Sequence, residues 1–109
     1  MICDRWDVVV VPFPFSDKAA EKRRPALVLS NKTFNASGHT VLAMITTRSH
    51  HPWPGDCNVE EHDDAGLPLP CLVRLKLFTL DNRVILRRIG RLSDADRKRV
   101  EANLENHLH

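Results

Sequence analysis

Two clusters of basic side chains are the groups in this 109-residue sequence whose chemistry most suggests a ligand. They consist of Lys18, Lys22, Arg23 and Arg24 in one segment and Arg83, Arg87, Arg88 and Arg91 in another. If the fold brings the clusters together, they form a positive patch suited to phosphate. The net charge is only +2, and charge alone favours the alternative, in which both clusters are solvated strand edges or loops.

Hydroxyl, imidazole and aromatic groups offer further chemistry. The Thr46 hydroxyl can donate to a phosphate oxygen, although a β-branched residue also serves strand formation alone. Imidazoles such as those of His50 and His51 suit general-base catalysis near neutral pH, but paired histidines in a polar loop are more often simply solvated. Three aromatic side chains can stack on nucleobases or pack in the core: Phe13, Phe15 and Trp53.

Neither a disulfide framework nor a metal site is predicted. The three cysteines are odd in number and widely spaced, which suits a reducing compartment. Cys57, His62, Asp63 and Asp64 lie near one another in the sequence, but their spacing matches no standard zinc site. These four residues are therefore expected to be unrelated.

Length and composition predict one soluble domain that spans residues 1–109. The chain is 42% hydrophobic and 28% charged, as in ordinary globular proteins. No apolar run approaches the roughly 18 residues of a membrane helix. The segment Met1–Asp7 lacks the basic-then-apolar order of a signal peptide. We therefore expect a cytoplasmic protein without a membrane partner.

Short apolar segments separated by polar turns predict the elements that must position these groups. The predicted strands are Asp7–Phe15, Pro25–Ser30, Thr40–Thr46, Cys57–Glu61, Leu72–Leu75 and Phe78–Leu80 as two strands or one bent strand, and Val84–Leu92. Ser16–Arg24 is predicted to be an exposed loop, and Asn31–His39 a turn. Gly90 is predicted to mark a bulge or a close approach between backbones.

One helix is predicted at the end of the chain. Ser93 can cap its first turn, and acidic residues follow where the helix dipole favours them. Val100, Leu104 and Leu108 form a narrow apolar stripe that one face can bury. Together the elements indicate a mainly β (α+β) fold, a strongly curved barrel or sandwich with a C-terminal helix.

The ordered set of segments resembles the MazF/PemK toxins of type II toxin–antitoxin systems. The segments that carry this resemblance are Trp6–Phe13, Lys22–Asn31, Ala43–Thr47, Ala65–Leu67, Val73–Leu75, Phe78–Asp81 and Arg88–Ser93. They include an apolar strand after Trp6-Asp7, a basic loop that leads into Arg24-Pro25 and four apolar residues, and a strand that ends in threonine. The resemblance covers nearly the whole chain in collinear order.

This resemblance implies a fold, an activity and partners. The fold would be a twisted SH3-like barrel of about six or seven short antiparallel strands with a C-terminal helix, usually as a homodimer. The activity would be sequence-selective cleavage of single-stranded RNA that needs no metal or other cofactor and leaves 2′,3′-cyclic phosphate. The partners would be RNA and a cognate antitoxin, with operator DNA bound only by the toxin–antitoxin complex.

The resemblance also implies roles for individual residues. Arg24 matches the arginine before proline, and its planar guanidinium can clamp two phosphate oxygens and stabilise the charged phosphorane. Thr46 matches the threonine at the end of the third strand and would contact a phosphate oxygen or the 2′-OH. The remaining RNA-binding candidates are Lys22, Arg23, Thr47, Trp53, Arg74 and Lys76.

The proton acceptor has more than one candidate. Some relatives place an aspartate two residues after the arginine that matches Arg74, but Lys76 occupies that position here. Glu21 is the candidate in its place, because some relatives have a glutamate in the same loop, and His50 and His51 are weaker candidates. Trp6 occupies the usual glycine position of the family. Asp7 matches the family's acid and would hold a turn or pair with a basic residue.

Two other functions remain open. A toxin on the same scaffold can inhibit a protein target such as a topoisomerase without cutting RNA, because a fold does not decide function. Lys76 favours this alternative, whereas the pair Arg24 and Thr46 favours the nuclease. A plain SH3-like interaction module would explain a barrel but would leave the basic loop before Arg24 unexplained.

Overall fold

The computed structural model describes residues 1–13, 22–47 and 51–108. These residues form one antiparallel sheet of six strands and two α-helices. The strands are β1 (Asp7–Phe13), β2 (Lys22–Val28), β3 (His39–Thr47), β4 (Cys57–Val59), β5 (Cys71–Asp81) and β6 (Arg87–Arg91). The helices are α1 (Lys32–Asn35) and α2 (Asp94–Leu108), and Asn82–Val84 forms a single 3-10 turn.

The strand order across the sheet is β4-β5-β3-β2-β1-β6. Every neighbouring pair is antiparallel. The sheet curls into a half-barrel, and α2 follows its last strand in the sequence. This confirms the predicted mainly β fold with six strands and a C-terminal helix.

Both faces of the central strands are buried, which explains the unbroken valine run of β1. One face joins Val8, Leu27, Ile45 and Val73 to Val100 of α2. The opposite face forms a second cluster of Cys3, Val9, Val11, Ala26, Val28, Leu42, Leu80 and Ile85. Since side chains alternate along a strand, consecutive apolar residues can supply both clusters.

The prediction that Ser16–Arg24 is a loop is wrong for its last three residues. Lys22, Arg23 and Arg24 belong to β2 and pair with Phe13, Pro12 and Val11 of β1. The backbone hydrogen bonds that β1 offers outweigh the polar character of these side chains, two of which project into solvent. β2 consequently begins three residues before Pro25, and Arg24 lies on a strand.

Two further boundaries differ from prediction. The Asn31–His39 segment contains helix α1, because the Asn31 side chain accepts from the Phe34 N–H as an N-cap. The predicted Val84–Leu92 strand is shortened to β6, since its first residue ends the 3-10 turn. Of the two alternatives for Leu72–Leu80, the structure has the single strand, β5, and its pairing with β3 shifts between Ala43 and Met44.

Helix α2 begins as predicted, with the Ser93 hydroxyl accepting from the Asp96 N–H at 3.2 Å. Val100 is buried and Leu104 packs against the same core cluster. Leu108 is 56% exposed, so the predicted apolar stripe ends one turn early. The described residues contain no helix that is both long and apolar enough to cross a membrane.

The predicted close approach at Gly90 is confirmed. A Cβ atom built on Gly90 would lie 2.3 Å from the carbonyl carbon of Ala65, which is backbone and cannot move aside like a side chain. The pairing of β6 with β1 also shifts between Val8 and Val9, beside this glycine. Gly90 therefore lets the turn at Ala65 pack directly onto β6.

Candidate functional site

Arg24 lies where β2 emerges from the core. Its side chain shares a sheet face with its strand partner Val11, next to the aromatic ring of Phe13. The guanidinium carbon lies 5.2 Å from the centroid of that ring, a cation–π distance. The Arg24 Nε–H is buried and has no hydrogen-bond acceptor among the described residues. An unpaired buried N–H is costly, which makes this group a candidate for binding an external acceptor.

Thr46 lies on the neighbouring strand at the same level of the sheet. The register pairs Ala26 of β2 with Met44 of β3. Two residues further along both strands, this register sets Arg24 against Thr46, with both side chains on one face. Thr46 is partly buried, whereas Thr47 is exposed and belongs to the other face. A hydroxyl and a guanidinium thus border one stretch of surface.

Lys22 and Arg23 extend the positive charge beyond Arg24. Both side chains are exposed. By strand alternation Lys22 shares the face of Arg24, and Arg23 points to the opposite face. Lys22 therefore belongs to the candidate surface directly, while Arg23 contributes charge from the rim.

Arg74 makes a two-pronged ion pair with Asp56 across 18 residues of sequence. Its Nε donates to Oδ1 at 3.1 Å and its Nη2 to Oδ2 at 3.0 Å. Nη2 also donates to the His51 carbonyl oxygen at 3.0 Å. The two side chains are only 12% and 18% exposed. Arg74 therefore ties the 51–56 segment to β5, and its Nε and Nη2 groups already donate three hydrogen bonds.

The ion pair sets the protonation of Asp56. Partial burial raises the pKa of this carboxyl group, but the Arg74 hydrogen bonds and the Trp53 N–H lower the pKa further than burial raises it. The net pKa lies below the ordinary aspartate value, so Asp56 is ionised at neutral pH. Sequence reasoning missed this residue. Its only signal was the turn-forming sequence Trp53-Pro54-Gly55-Asp56, which does not reveal a partner on β5.

Trp53 projects from the same segment and is 40% exposed. The Lys76 ammonium lies 4.5 Å from the centroid of its ring. The backbone N–H of Trp53 donates to Asp56 Oδ2 at 3.0 Å. Trp53, Asp56, Arg74 and Lys76 thus form one connected group, called the Trp53 cluster below.

Glu21, His50 and Phe15 fall outside the described residues. His51 is exposed, and its backbone carbonyl oxygen accepts from Arg74.

The second basic cluster flanks a different part of β1. Its β6 members pair with Asp7–Val10, whereas Lys22–Arg24 pair with Val11–Phe13 on the other edge of the strand. Arg88 and Arg91 approach the buried Asp7 carboxylate at 3.8 and 3.3 Å. Asp7 thus pairs with basic residues, as expected, and it also accepts from the Asp4 N–H at 2.8 Å. A cavity of about 380 Å³ lies beside these groups.

The described ranges hold no group of three or more histidine, cysteine, aspartate or glutamate side chains placed to bind a metal. Within the same ranges Cys3 and Cys71 are buried, and Cys57 is partly exposed. Burial raises the pKa of all three thiols. A protonated thiol is a poor nucleophile, so these cysteines are not candidates for the chemistry of the site.

Comparison with known families identifies the chain. Residues 4–108 match the model of the PemK-like, MazF-like toxins of type II toxin–antitoxin systems. The chain belongs to this toxin family. No protein with a curated function matched the sequence.

Solved structures of toxins share the fold. A mycobacterial endoribonuclease, solved in complex with its cognate antitoxin, is 19% identical, with a TM-score of 0.75 over 98% of this chain and 93% of that one. MazF from Deinococcus radiodurans is 23% identical, with a TM-score of 0.74 over 99% and 97%. The Mycobacterium tuberculosis toxin MazF-mt6 is 20% identical, with a TM-score of 0.72 over 92% and 93%. At these identities the similarity establishes the fold.

The backbone at Trp6 has an unusual conformation. This residue adopts a φ of 77°. Such a φ is uncommon for any residue with a Cβ atom. The chain therefore keeps the backbone conformation that glycine favours and uses the position to bury an indole, which is 9% exposed.

Proposed function

We propose that this member of the toxin family is an endoribonuclease that cleaves single-stranded RNA at short sequences without a metal. The observation that carries the proposal is the buried Arg24 Nε–H, which has no acceptor among the described residues and lies on the sheet face that Thr46 shares. A phosphate oxygen would supply the missing acceptor. The exposed Lys22 and Arg23 favour the approach of a polyanion.

The reaction needs three events at one phosphate. The 2′-OH loses its proton and attacks phosphorus, the bond to the 5′-oxygen breaks, and that oxygen takes up a proton. The products are a 2′,3′-cyclic phosphate and a 5′-hydroxyl. Negative charge builds on the non-bridging oxygens during the attack, and fixed donors aimed at that charge lower the barrier.

Arg24 and Thr46 are assigned to this charge. The guanidinium is cationic and planar, so it can bind two phosphate oxygens, and it is assigned to charge stabilisation before proton donation. The Thr46 hydroxyl would donate to a non-bridging oxygen or orient the 2′-OH. Both groups lie on strands, which fix side chains more firmly than loops do.

Glu21 is the proposed proton acceptor. It directly precedes Lys22, the first residue of β2, and is three positions before Arg24. Lys76 occupies the place of the acid used by some relatives, and the Asp56 carboxylate is hydrogen-bonded to Arg74 and the Trp53 N–H. His50 and His51 remain the weaker candidates for this role.

The test is incubation of purified protein with single-stranded RNAs of varied sequence in EDTA. We expect cleavage at a short motif and 2′,3′-cyclic phosphate ends. RNA that stays intact across all substrates would overturn the proposal. The variant Glu21→Gln should abolish cleavage while RNA binding is retained. Full activity of that variant would remove Glu21 from the mechanism and move the search to His50 and His51.

Lys76 favours a second candidate, a toxin that inhibits a protein target such as a topoisomerase. A cation in place of an acid is compatible with binding but does not supply the carboxylate that some relatives place there. If the purified protein leaves RNA intact but inhibits the supercoiling of DNA by a topoisomerase, this second function is supported. RNA cleavage without an effect on supercoiling would reject it.

We further propose that the protein is a homodimer, that a cognate antitoxin binds it, and that operator DNA is bound only by their complex. Membership of the toxin family supports these assignments. Sedimentation at micromolar concentration should show a dimer, and a monomer throughout that range would exclude it. Retention of operator DNA by the toxin without antitoxin would contradict the last assignment.

A further inference from the structure

Trp53 is an exposed aromatic side chain with a cation against its ring. The residue is 40% exposed, and the Lys76 ammonium lies 4.5 Å from the ring centroid. An indole beside a positive charge suits single-stranded nucleic acid, since the ring stacks on a base and the cation meets the backbone.

The segment that carries Trp53 is held from two sides. On one side, Asp56 accepts from the Trp53 N–H and from Arg74 of β5, and Arg74 also donates to the His51 carbonyl. On the other side, Asn103 of α2 donates from its Nδ2 to the Gly55 carbonyl oxygen. A platform fixed before binding costs little ordering entropy when its ligand arrives.

Gly55 lets the segment fit between β5 and α2. It has a φ of +82°, and a Cβ atom on it would lie 2.6 Å from Leu75 Cδ1 and 3.4 Å from His107 Cγ. Any larger residue would force the segment outward or displace these side chains. The positions of Trp53 and Asp56 therefore depend on the close approach of the Gly55 backbone to Leu75 and His107.

The Trp53 cluster lies on the face that carries Arg24 and Thr46. Arg74 pairs with Met44 across β3 and β5. Met44 precedes Thr46 by two residues, so the side chains of all three residues share one face of the sheet. An RNA strand with its scissile phosphate at Arg24 and Thr46 would therefore reach Trp53 with a neighbouring base.

We propose that Trp53 is the stacking platform for one unpaired base next to the scissile phosphate, with Lys76 at the adjoining phosphate. Asp56 is a positioning residue that holds this platform through Arg74. The inference rests on the proposed RNA-cleaving function and assigns part of its sequence selectivity. It also gives Arg74 a different task from direct phosphate binding, because its Nε and Nη2 groups already donate to Asp56.

The first test measures binding without cleavage. A short single-stranded RNA in which 2′-O-methyl groups block the nucleophile is titrated into the protein while tryptophan fluorescence is recorded. Trp6 is 9% exposed and Trp53 is 40% exposed, so stacking quenches mainly Trp53. Trp53→Ala should remove the quench and raise Kd roughly 5- to 150-fold, the range for loss of one base–aromatic stack. Trp53→Phe should stay within about threefold of wild type.

The matched control is Leu69→Ala. Leu69 is an exposed apolar residue, 57% exposed, outside the Trp53 cluster. Its removal should leave Kd and the cleavage map unchanged. An equal loss of affinity in Leu69→Ala and Trp53→Ala would show that general surface hydrophobicity is responsible and would overturn the inference.

The second test separates recognition from chemistry. In Trp53→Ala, cleavage should lose its base preference at one position beside the cut, and KM should rise while kcat at saturation stays near wild type. Asp56→Asn should raise Kd in the wild-type background but have no further effect in Trp53→Ala, because it acts through that ring. If Asp56→Asn does not fold, Arg74→Lys weakens the same ion pair and takes the place of Asp56→Asn in the double-mutant cycle.

The outcomes distinguish the two proposals. Failure of the wild-type protein to cut any RNA overturns the proposed function. Wild-type cleavage together with an unchanged Kd and an unchanged cleavage map in Trp53→Ala overturns the stacking platform alone. Additive effects of Asp56→Asn and Trp53→Ala on Kd overturn the positioning role. Loss of antitoxin binding with normal RNA binding in Trp53→Ala would assign the ring to a protein interface instead.

Discussion

The guanidinium carbon of Arg24 lies 5.2 Å from the centroid of the Phe13 ring. A cation–π contact positions the charge through the ring face. The Nε–H, buried and without an acceptor among the described residues, remains available. Arg24 is therefore positioned in advance while its donor is kept for a ligand, which is the arrangement that electrostatic catalysis requires.

Replacement of Arg24 by alanine should abolish cleavage and leave the fold intact. Loss of one donor aimed at developing charge costs on the order of 100- to 1,000-fold in kcat. Stability should change little, because the variant removes a buried donor without a partner along with its contact to Phe13. Single-turnover cleavage and urea unfolding measure the two quantities. Arg24→Lys should recover part of the activity through charge alone.

Arg23→Ala is the matched control for this prediction. Arg23 is the adjacent basic residue and is exposed on the opposite face of β2. Its loss should lower RNA affinity modestly and only at low salt, since exposed charges are screened. If the two variants lose equal activity, Arg24 contributes general charge rather than a positioned group.

The sequence was sufficient to predict the sheet but not all of its edges. The valine run of β1 and the aliphatic residues after Pro25 carry enough apolar surface to define strands by themselves. Lys22, Arg23 and Arg24 were predicted to be in a loop because their side chains are polar. Their pairing with β1 is a long-range contact that the local sequence does not reveal. Leu108 was predicted to be buried by periodicity, but α2 leaves the core before it.

The site was predictable only where the family motif reaches it. Arg24 and Thr46 were selected because they match the motif, and the register sets them on one face. Asp56 could not be predicted, because its partner Arg74 lies 18 residues away on a strand whose register with β3 shifts.

Replacement of Trp6 by glycine should destabilise the protein although it relieves backbone strain. The φ of 77° costs a residue with a Cβ atom roughly 1–2 kcal/mol, which glycine recovers. Truncation of a buried tryptophan costs about 3–5 kcal/mol, and glycine adds about 0.5–1 kcal/mol of chain entropy. The expected net loss is about 2–4 kcal/mol in urea unfolding. A variant as stable as wild type would show that strain outweighs burial at Trp6.

Asp96 should be among the most sensitive charged residues of the fold. Its carboxylate is fully buried and accepts from the Glu60 and Glu61 N–H groups at 3.0 Å each, which ties the end of β4 to α2. Loss of both charge-assisted bonds in Asp96→Ala should cost about 2–4 kcal/mol. Chemical denaturation of the purified variant measures this loss.

Asp94→Ala is the comparison for Asp96, because it lies in the same first turn. The Asp94 side chain is 90% exposed and pairs with the partly exposed Arg97. An exposed pair contributes roughly 0–1 kcal/mol, so Asp94→Ala should stay close to wild type. Equal losses in both variants would mean that the helix dipole, rather than the bonds to β4, explains the effect.

The ion pair of Asp56 and Arg74 predicts an acid-dependent part of the stability. Burial raises the pKa of Asp56, but the Arg74 hydrogen bonds and the Trp53 N–H lower it more, so the folded-state pKa lies below the unfolded value of about 3.9. The stabilisation is therefore fully present above pH 4–5 and is lost as the pH falls through the folded-state pKa. Asp56→Asn lacks this titration.

The measurement is the difference in unfolding free energy between wild type and Asp56→Asn across the acid range. The difference should be constant from neutral pH to about pH 5 and should shrink below about pH 4, because the protonated carboxyl group of wild type then resembles the amide. Use of the difference removes the titration of the other carboxyl groups, including Asp81, whose pKa Arg83 lowers to about 2. A difference that stays constant to the lowest accessible pH would show that Arg74 does not pair with ionised Asp56 in solution, and Trp53 would lose the brace that fixes its ring.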